Sequence, residues 1–233
     1  MPINHMERET LTPVVQSQGT MLALIRKYRI IPFFANPIDG YSIEEHTLPE
    51  LWFTEESLGP WDWKIECIQD CDIAYGKFLW GGKASFAMVD VYKELMNWRR
   101  SLPKYKPSAD QQRILDYMQE HDAISVADVR KLLGIKKSAA DAILGRLQMQ
   151  TRLVTGVITR VYSGPEQKYS GWQRSSFCTP ETLFEELDLP FPGYVPHSLK
   201  SDLTPFESLD YVKETVRAAC GAVPDRLLLK MLG

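Results

Sequence analysis

Residues 108–150 read SADQQRILDYMQEHDAISVADVRKLLGIKKSAADAILGRLQMQ, and three helix starts follow one another within this stretch. At each start a serine precedes Gln or Asp by three residues, the spacing of a capping box, in which each side chain bonds the other residue's free backbone amide. The three pairs are Ser108 with Gln111, Ser125 with Asp128, and Ser138 with Asp141. Apolar residues recur at helical spacing after each pair, so the stretch predicts three short helices.

The connection between the second and third predicted helices is short. Gly134 lies where the second helix should end, and Ile135-Lys136-Lys137 makes a brief turn into the third helix. Two short helices joined by a turn of this length form a helix-turn-helix.

A β-hairpin is predicted directly after the third helix. β-branched and aromatic residues surround Gly156 between positions 153 and 162, residues 163–166 turn the chain, and residues 169–177 return. Three helices followed by a hairpin is the order of a winged helix. We therefore predict a helix-rich α+β fold that contains a winged helix-turn-helix.

The net charge of −3 conceals a basic segment. Residues 126–175 contain nine Lys and Arg against three Asp and Glu, which gives a local charge of +6. A basic surface favours a polyanion such as double-stranded DNA, so we assign residues 104–182 to a DNA-binding domain. The candidate DNA contacts are Lys136, Lys137, Arg146, Arg152, Arg160, Lys168 and Arg174. Two alternatives stay open, a solvated helix face and a winged helix that docks on other proteins.

The returning strand of the predicted hairpin carries Trp172 between Lys168 and Arg174. Large aromatic side chains more often fill a core than stack on unpaired bases. We expect the wing to pack through Trp172 while the two cations point outward.

The first 103 residues repeat this plan in weaker form, and we interpret residues 1–103 as an N-terminal domain with a degenerate second winged helix. The predicted elements are a helix over 20–30, a capping box at 47–50, a third helical segment from 59, and a hairpin of 73–79 and 83–89. The hairpin segment equally fits a helix that leads into residues 91–100.

Asp62 is the candidate carboxylate of this half, because it lies between two tryptophans. A partly desolvated carboxylate can act as a base or stabilise a cation. The alternative role is a helix N-cap.

The last segment, residues 183–233, is predicted to consist of a linker and docking helices. Residues 189–196 are rich in proline and predict a stiff linker. A capping box at 204–207 predicts a helix that ends near Cys220 and restarts near Pro224. The leucines that follow are too apolar to remain in solvent, so we expect this segment to dock on the body.

The composition excludes several classes of protein. Hydrophobic residues make up 44% and charged residues 24% of the 233 residues, so the chain is not disordered throughout. No run approaches the roughly 18 apolar residues of a membrane helix. Glu7 and Glu9 lie where a signal peptide would have its apolar core. We expect a cytoplasmic protein with no membrane partner.

The four cysteines predict neither a disulfide framework nor a metal site. Cys67 and Cys71 would share one helical face, but a metal would need two more ligands and the four histidines are scattered singly. Buried structural thiols are the favoured interpretation for these two and for Cys178 and Cys220. We expect no metal and no cofactor.

Several strings occur together between about Trp52 and Pro180. They are Gly59-Pro-Trp-Asp-Trp-Lys64, Ala74-Tyr-Gly-Lys-Phe78 with Gly82-Lys-Ala84, Asn97-Trp-Arg-Arg100, and Leu147-Gln-Met-Gln-Thr151 with Tyr169-Ser-Gly-Trp172. Together they resemble a bacterial family of AlkZ-related winged-helix proteins. The resemblance implies tandem winged helices, duplex DNA as partner, and the activity of AlkZ-type DNA glycosylases, which remove alkylated purines and open interstrand crosslinks.

The signature of those glycosylases is Gln-x-Gln, and the resemblance makes Gln148 and Gln150 the candidate catalytic pair. In the characterised enzymes the signature lies near the start of the chain, whereas this tripeptide lies in the middle. An alkylated purine is already cationic and leaves readily, so two neutral amides suffice to position a water.

Both amides can reach one sugar only if the backbone has left helical geometry by Gln148, because extended residues two apart face the same side. Otherwise Gln148 and Gln150 bond backbone or solvent where the helix meets the wing. Two further alternatives to a glycosylase stay open, a non-catalytic winged-helix regulator of transcription and a protein-docking module.

Overall fold

The computed structural model describes residues 14–54, 57–69, 72–185 and 196–233. The described elements are α1 (Gln18–Tyr28), β1 (Ile30–Pro32), α2 (Pro60–Cys67), β2 (Ile73–Leu79), β3 (Lys83–Met88), α3 (Val89–Ser101), α4 (Ala109–Tyr117), β4 (Ile124–Ser125), α5 (Val126–Leu133), α6 (Lys137–Met149), β5 (Val154–Ser163), β6 (Lys168–Cys178), α7 (Pro180–Phe184), α8 (Pro205–Cys220) and α9 (Asp225–Leu232). The predicted α+β class, rich in helix, is confirmed.

Two small antiparallel sheets organise these elements. The first has the strand order β1-β3-β2, and the second has the order β4-β6-β5. In the second sheet Ile124 of β4 pairs with Phe177, and Val154 of β5 pairs with Cys178. The paired segment of β5 and β6 continues to Ser163 and Lys168, well beyond the short β4. The β5–β6 hairpin therefore has a base within the sheet and a two-stranded outer part.

The buried apolar residues form two clusters. The smaller cluster joins α4, α5 and α6 through residues such as Ile114, Val129 and Leu144. The larger cluster includes the first sheet, α1, α3, α8 and α9, and it also takes in Val154 and Cys178 from the base of the hairpin. The hairpin is thus packed against the N-terminal half of the chain as well as against its own helices.

The helix starts are mostly those that the sequence predicted. Ser108, Ser125 and Thr204 each form a capping box at the start of α4, α5 and α8. Gly134 ends α5 in the left-handed conformation at φ 69°, which a residue with a side chain rarely adopts. The tail also follows its prediction, since α8 ends at Cys220 and α9 follows shortly after.

Two predicted capping boxes are wrong. The third helix of the central stretch begins one residue before Ser138, at Lys137, and no side chain caps it; Asp141 pairs with Lys137 instead. The Thr47 hydroxyl donates to the Ile43 carbonyl, and only a single 3₁₀ turn follows it. Asp141 is held by Lys137, and the Thr47 hydroxyl is held by the Ile43 carbonyl. Neither side chain is therefore free to form a capping box.

The β2–β3 hairpin lies where it was predicted, and the alternative of a helix over this segment is wrong. Strand β1, which pairs Ile31 with Phe86, was not anticipated because only three residues form it. The predicted linker at 189–196 lies almost wholly outside the described residues. No helix in the described ranges is long and apolar enough to cross a membrane.

A buried arginine joins three parts of the fold. Arg99 of α3 has no exposed surface, and its guanidinium donates to the carbonyls of Phe78 in β2, Met149 at the end of α6 and Leu232 at the end of α9. One guanidinium thus serves three backbone acceptors, which suits its fixed set of five N–H donors. Arg99 thereby fixes the end of α6 against the first sheet.

Candidate nucleic-acid interface

The β5–β6 hairpin lies with one face on α2. The Tyr169 hydroxyl donates to Asp62 Oδ1 at 2.8 Å, and the Trp61 indole donates to the Gly171 carbonyl at 3.1 Å. The Lys64 amine donates to Gln173 Oε1 at 2.6 Å. Residues 169, 171 and 173 alternate along β6 and so share one face. We call this the inner face of the hairpin.

Arg160 of β5 belongs to the same contact. Its guanidinium is 2.7 Å from Glu66 Oε1 and 3.3 Å from Asp62 Oδ1. The hydrogen bond to Glu66, with further help from Asp62, raises the pKa of Arg160 above its usual value. Arg160 was predicted as a DNA contact, and in this structure both carboxylates of α2 already pair with it, so it is not a free cation.

Asp62 is neither an N-cap nor an unpaired carboxylate. Gly59 is the N-cap of α2, and Asp62 lies in the first turn, where it accepts from both Tyr169 and Arg160. The expected N-cap role is wrong. The partners of Asp62 give it a structural role in holding the hairpin.

Lys64 was not anticipated as a site residue. It is 2% exposed, and its amine lies 3.3 Å from the centroid of the Trp61 ring. Burial lowers the pKa of Lys64 to about 7, although Asp62 and Glu66 act in the opposite direction. An amine so enclosed does not reach a substrate, so we assign it to the hairpin contact. The string Trp61-Asp-Trp-Lys64 was the sequence signal, but only the tertiary structure shows what encloses it.

The outer face of the hairpin, Lys168, Ser170, Trp172 and Arg174, is open to solvent. Trp172 is 73% exposed, so the prediction that the wing packs through this side chain is wrong. The reason is the alternation of β6, since the face bearing Gly171 and Gln173 is the one that meets α2. The outward orientation of Lys168 and Arg174 is confirmed.

The candidate cations of α6 differ in their surroundings. Lys136 and Lys137 are exposed at the start of the helix, and Lys137 pairs with Asp141 at 3.0 Å. Arg146, near the other end, donates to the Lys104 carbonyl at 3.2 Å and lies over the Tyr105 ring. The start of α6 is thus the more available cationic region.

Gln148 is buried, and its amide joins α6 to the first sheet. Its Oε1 accepts from the Lys77 backbone amide at 2.9 Å, and its Nε2 donates to the Leu144 carbonyl at 3.2 Å. The ladder between β2 and β3 is irregular between Gly76 and Leu79, so the glutamine serves as the acceptor for Lys77. The expectation of extended backbone at Gln148 is wrong, because α6 continues to Met149.

Gln150 is buried in a different direction. Its Nε2 donates to Gln111 Oε1 at 3.0 Å and to the Lys106 carbonyl at 3.4 Å, while its Oε1 is buried without a partner in the described residues. Gln148 faces β2 and Gln150 faces α4, and each is 2% exposed. The structure therefore does not bring the two amides together on a surface.

A second Gln-x-Gln was overlooked in the sequence. Gln16 and Gln18 are exposed at the start of α1, and they flank Ser17, whose backbone is extended at φ −159° and ψ 169°. An extended central residue places its two neighbours on the same side. The signal that could have found this pair is the Gln-x-Gln spacing itself.

The cysteines agree with the structural interpretation where the structure describes them. Cys67 and Cys178 are buried, Cys220 is partly buried, and Cys71 lies outside the described residues. Burial raises the pKa of Cys178 to about 12, which leaves the thiol protonated and unreactive. Within the described ranges no group of His, Cys, Asp and Glu is placed to hold a metal ion.

Comparisons with known proteins give one family and one solved structure. A sequence model of the family described as AlkZ related matches residues 15–233. No curated protein sequence matches the chain. The solved structure of the Streptomyces sahachiroi DNA glycosylase AlkZ is similar with a TM-score of 0.48 and 12% identity, over 93% of this chain and 55% of its own. The chain thus spans just over half the length of that protein.

The role of Gln148 in the sheet contact is tested by a double-mutant cycle with Gly76. A Cβ at Gly76 would lie 2.9 Å from Gln148 Oε1, so Gly76→Ala must displace the amide. Gln148→Ala removes the acceptor of the Lys77 amide. We expect each single variant to lower the free energy of unfolding by about 1–3 kcal/mol. Because they break the same contact, the double variant should lose at least about 1 kcal/mol less than the sum.

The control for this cycle is Gly19→Ala in α1, where the nearest atom to the new Cβ is Ser17 Oγ at 3.9 Å. Its effect should add to that of Gln148→Ala in urea unfolding. Additive losses for Gly76→Ala and Gln148→Ala would show that the amide does not support β2.

Proposed function

Because the chain belongs to the AlkZ-related family, we propose that it binds double-stranded DNA and acts in DNA repair. The contact surface in this proposal is the outer face of the β5–β6 hairpin together with the start of α6. The DNA-binding unit is the predicted domain 104–182.

The order of elements supports a winged helix in this unit. Helices α4, α5 and α6 precede the β5–β6 hairpin, and the short strand β4, which lies between α4 and α5 in the chain, pairs with β6. In this proposal α6 is the helix that approaches the DNA and the hairpin is the wing. The proposal extends to the DNA backbone only, since no side chain is assigned to a base.

The observation that carries the proposal is the division of the hairpin into two faces. The inner face uses its polar groups on α2, whereas the outer face presents Lys168 and Arg174 on either side of the exposed Trp172. Six residues of strand separate the two cations by about 20 Å, so they would contact separate phosphates of a duplex, and an exposed aromatic ring between them suits a sugar.

The start of α6 adds to this surface. Its first-turn backbone amides have no side-chain cap, and Lys136 and Lys137 flank them. Uncapped amides at a helix N-terminus, together with the helix dipole, form a favourable position for a phosphate. Because Ser138 does not cap α6, these backbone amides remain available to a phosphate in the proposed function.

Salt dependence of duplex binding tests the proposal. Lys168→Ala and Arg174→Ala should each reduce the slope of log K against log salt by about 0.9, the value for one phosphate contact. Arg160→Ala should lower the melting temperature by loosening the hairpin from α2, yet leave the slope within about 0.3 of the wild type. Fluorescence anisotropy of a labelled duplex between low and moderate salt measures the slope.

Lys27→Ala is the matched control, because Lys27 is exposed at the end of α1, outside the predicted domain 104–182. Its slope should equal that of the wild type. If Lys168→Ala and Arg174→Ala behave like Lys27→Ala, the hairpin is not the DNA surface. If the wild type shows no duplex binding at low salt, the protein-docking alternative replaces the proposal.

A DNA glycosylase that acts on alkylated purines is the second candidate function. The observation in its favour is the exposed pair Gln16 and Gln18 on either side of the extended Ser17. Residues on either side of an extended residue face the same side, which is what two amides sharing one water require. The buried pair Gln148 and Gln150 would need α6 to unwind before it could reach a sugar.

Release of 7-methylpurine from alkylated duplex DNA, measured by chromatography, tests this candidate. The purified protein should release base, Gln16→Ala and Gln18→Ala should each abolish the release, and both variants should bind duplex as the wild type does. Gln150→Ala is the contrasting variant and should keep the activity at a temperature where it is folded. Absence of release by the wild type would leave a non-catalytic DNA-binding protein, and loss only in Gln150→Ala would restore the buried pair as the candidate.

A further inference from the structure

A cleft of about 310 Å³ lies where the end of α3, the start of α4, the end of α6 and the start of α7 meet. Two arginines line it, Arg100 from α3 and Arg152 from the turn after α6. Glu181, Gln112 and Thr179 complete its polar lining. The hairpin contact and the two glutamine pairs lie outside this cleft.

Arg152 is the unexplained group in the cleft. It is half-buried, and its side chain makes no hydrogen bond or ion pair with any described residue. Burial, with further help from the neighbouring positive charge of Arg100, lowers the pKa of Arg152. A half-buried cation without a partner destabilises the fold, so its presence calls for an anion.

The second arginine has only part of its hydrogen-bonding capacity occupied. The Arg100 guanidinium donates to Glu181 Oε1 at 2.5 Å and to the Thr151 carbonyl at 2.6 Å, while its Nε is buried without a partner. Glu181 is the carboxylate in the lining, so two positive charges face one negative charge. The cleft therefore carries one excess positive charge and two buried, unused Nε–H donors.

We propose that this cleft binds a phosphate group, with Arg152 as its main ligand and Arg100 as the second. A guanidinium donates two parallel hydrogen bonds to neighbouring phosphate oxygens, and neither terminal nitrogen of Arg152 bonds a described residue. The volume accommodates a phosphate with part of an attached sugar. The phosphate has two sources, the backbone of DNA bound by the neighbouring α6 and hairpin, and a free phosphate-bearing molecule; the first source rests on the proposed function.

Thermal melting in inorganic phosphate tests the site itself. Against sodium chloride of equal ionic strength and pH, phosphate at about ten times its Kd should raise the melting temperature of the wild type by about 2–4 °C. Arg152→Gln should abolish this difference. In chloride alone Arg152→Gln should melt at or above the temperature of the wild type, because it removes an unpaired cation, whereas a merely structural arginine would give a lower temperature.

Two further variants keep the test decisive. Arg152→Lys keeps the charge but loses the paired donors, so part of the phosphate effect should remain. Arg130→Gln on α5 is the control, an exposed arginine away from the cleft, and should respond to phosphate as the wild type does. An equal phosphate effect in Arg152→Gln and the wild type, or no effect in the wild type, would overturn the proposal.

Duplex binding separates the two sources. If the cleft takes a DNA phosphate, Arg152→Gln should weaken duplex binding several-fold and reduce its salt slope by about 0.9. If it takes a free phosphate-bearing molecule, Arg152→Gln should lose the phosphate effect and bind duplex as the wild type does. Failure of the proposed function would appear differently, as no duplex binding by the wild type while the phosphate effect on melting persists.

Discussion

The contact between α2 and the inner face of the β5–β6 hairpin determines which groups of the hairpin are free. Arg160 bridges Asp62 and Glu66, and the buried Lys64 donates to Gln173 beneath it. Exposed ion pairs alone contribute little, about 0–1 kcal/mol each. At this contact the ion pairs of Arg160 act together with the hydrogen bonds that the Lys64 amine and the Trp61 indole donate to β6. Together these interactions hold β6 in one orientation. The hairpin cannot turn its other face to α2 without leaving these groups unpaired.

The division of the cations follows from this contact. Arg160 and Arg99 have internal partners and organise the fold, whereas Lys168 and Arg174 stay on the open face. Arg152 belongs to neither group, since it is partly enclosed and has no partner in the described residues. Counting basic residues in a segment therefore overstates the charge that a polyanion would meet.

Local signals in the sequence predicted much of the fold. The capping boxes at Ser108 and Ser125 and the glycine at the end of α5 depend on neighbouring residues, and the structure has them. The packing of Trp172 was predicted wrongly, because the covered face of the hairpin depends on α2, more than a hundred residues earlier. The burial of Gln148 likewise depends on a distant strand, since the partner of its side-chain oxygen is the Lys77 amide.

The central claim is that the open face of the hairpin is the one that meets DNA. The most direct measurement is acrylamide quenching of Trp172 fluorescence, obtained as the difference between the wild type and Trp172→Phe. Trp172 is 73% exposed, so acrylamide should strongly quench its fluorescence in the free protein. The account predicts that saturating duplex DNA shields Trp172 from acrylamide and that high salt restores the quenching. Unchanged quenching of Trp172 on DNA-saturated protein would contradict it.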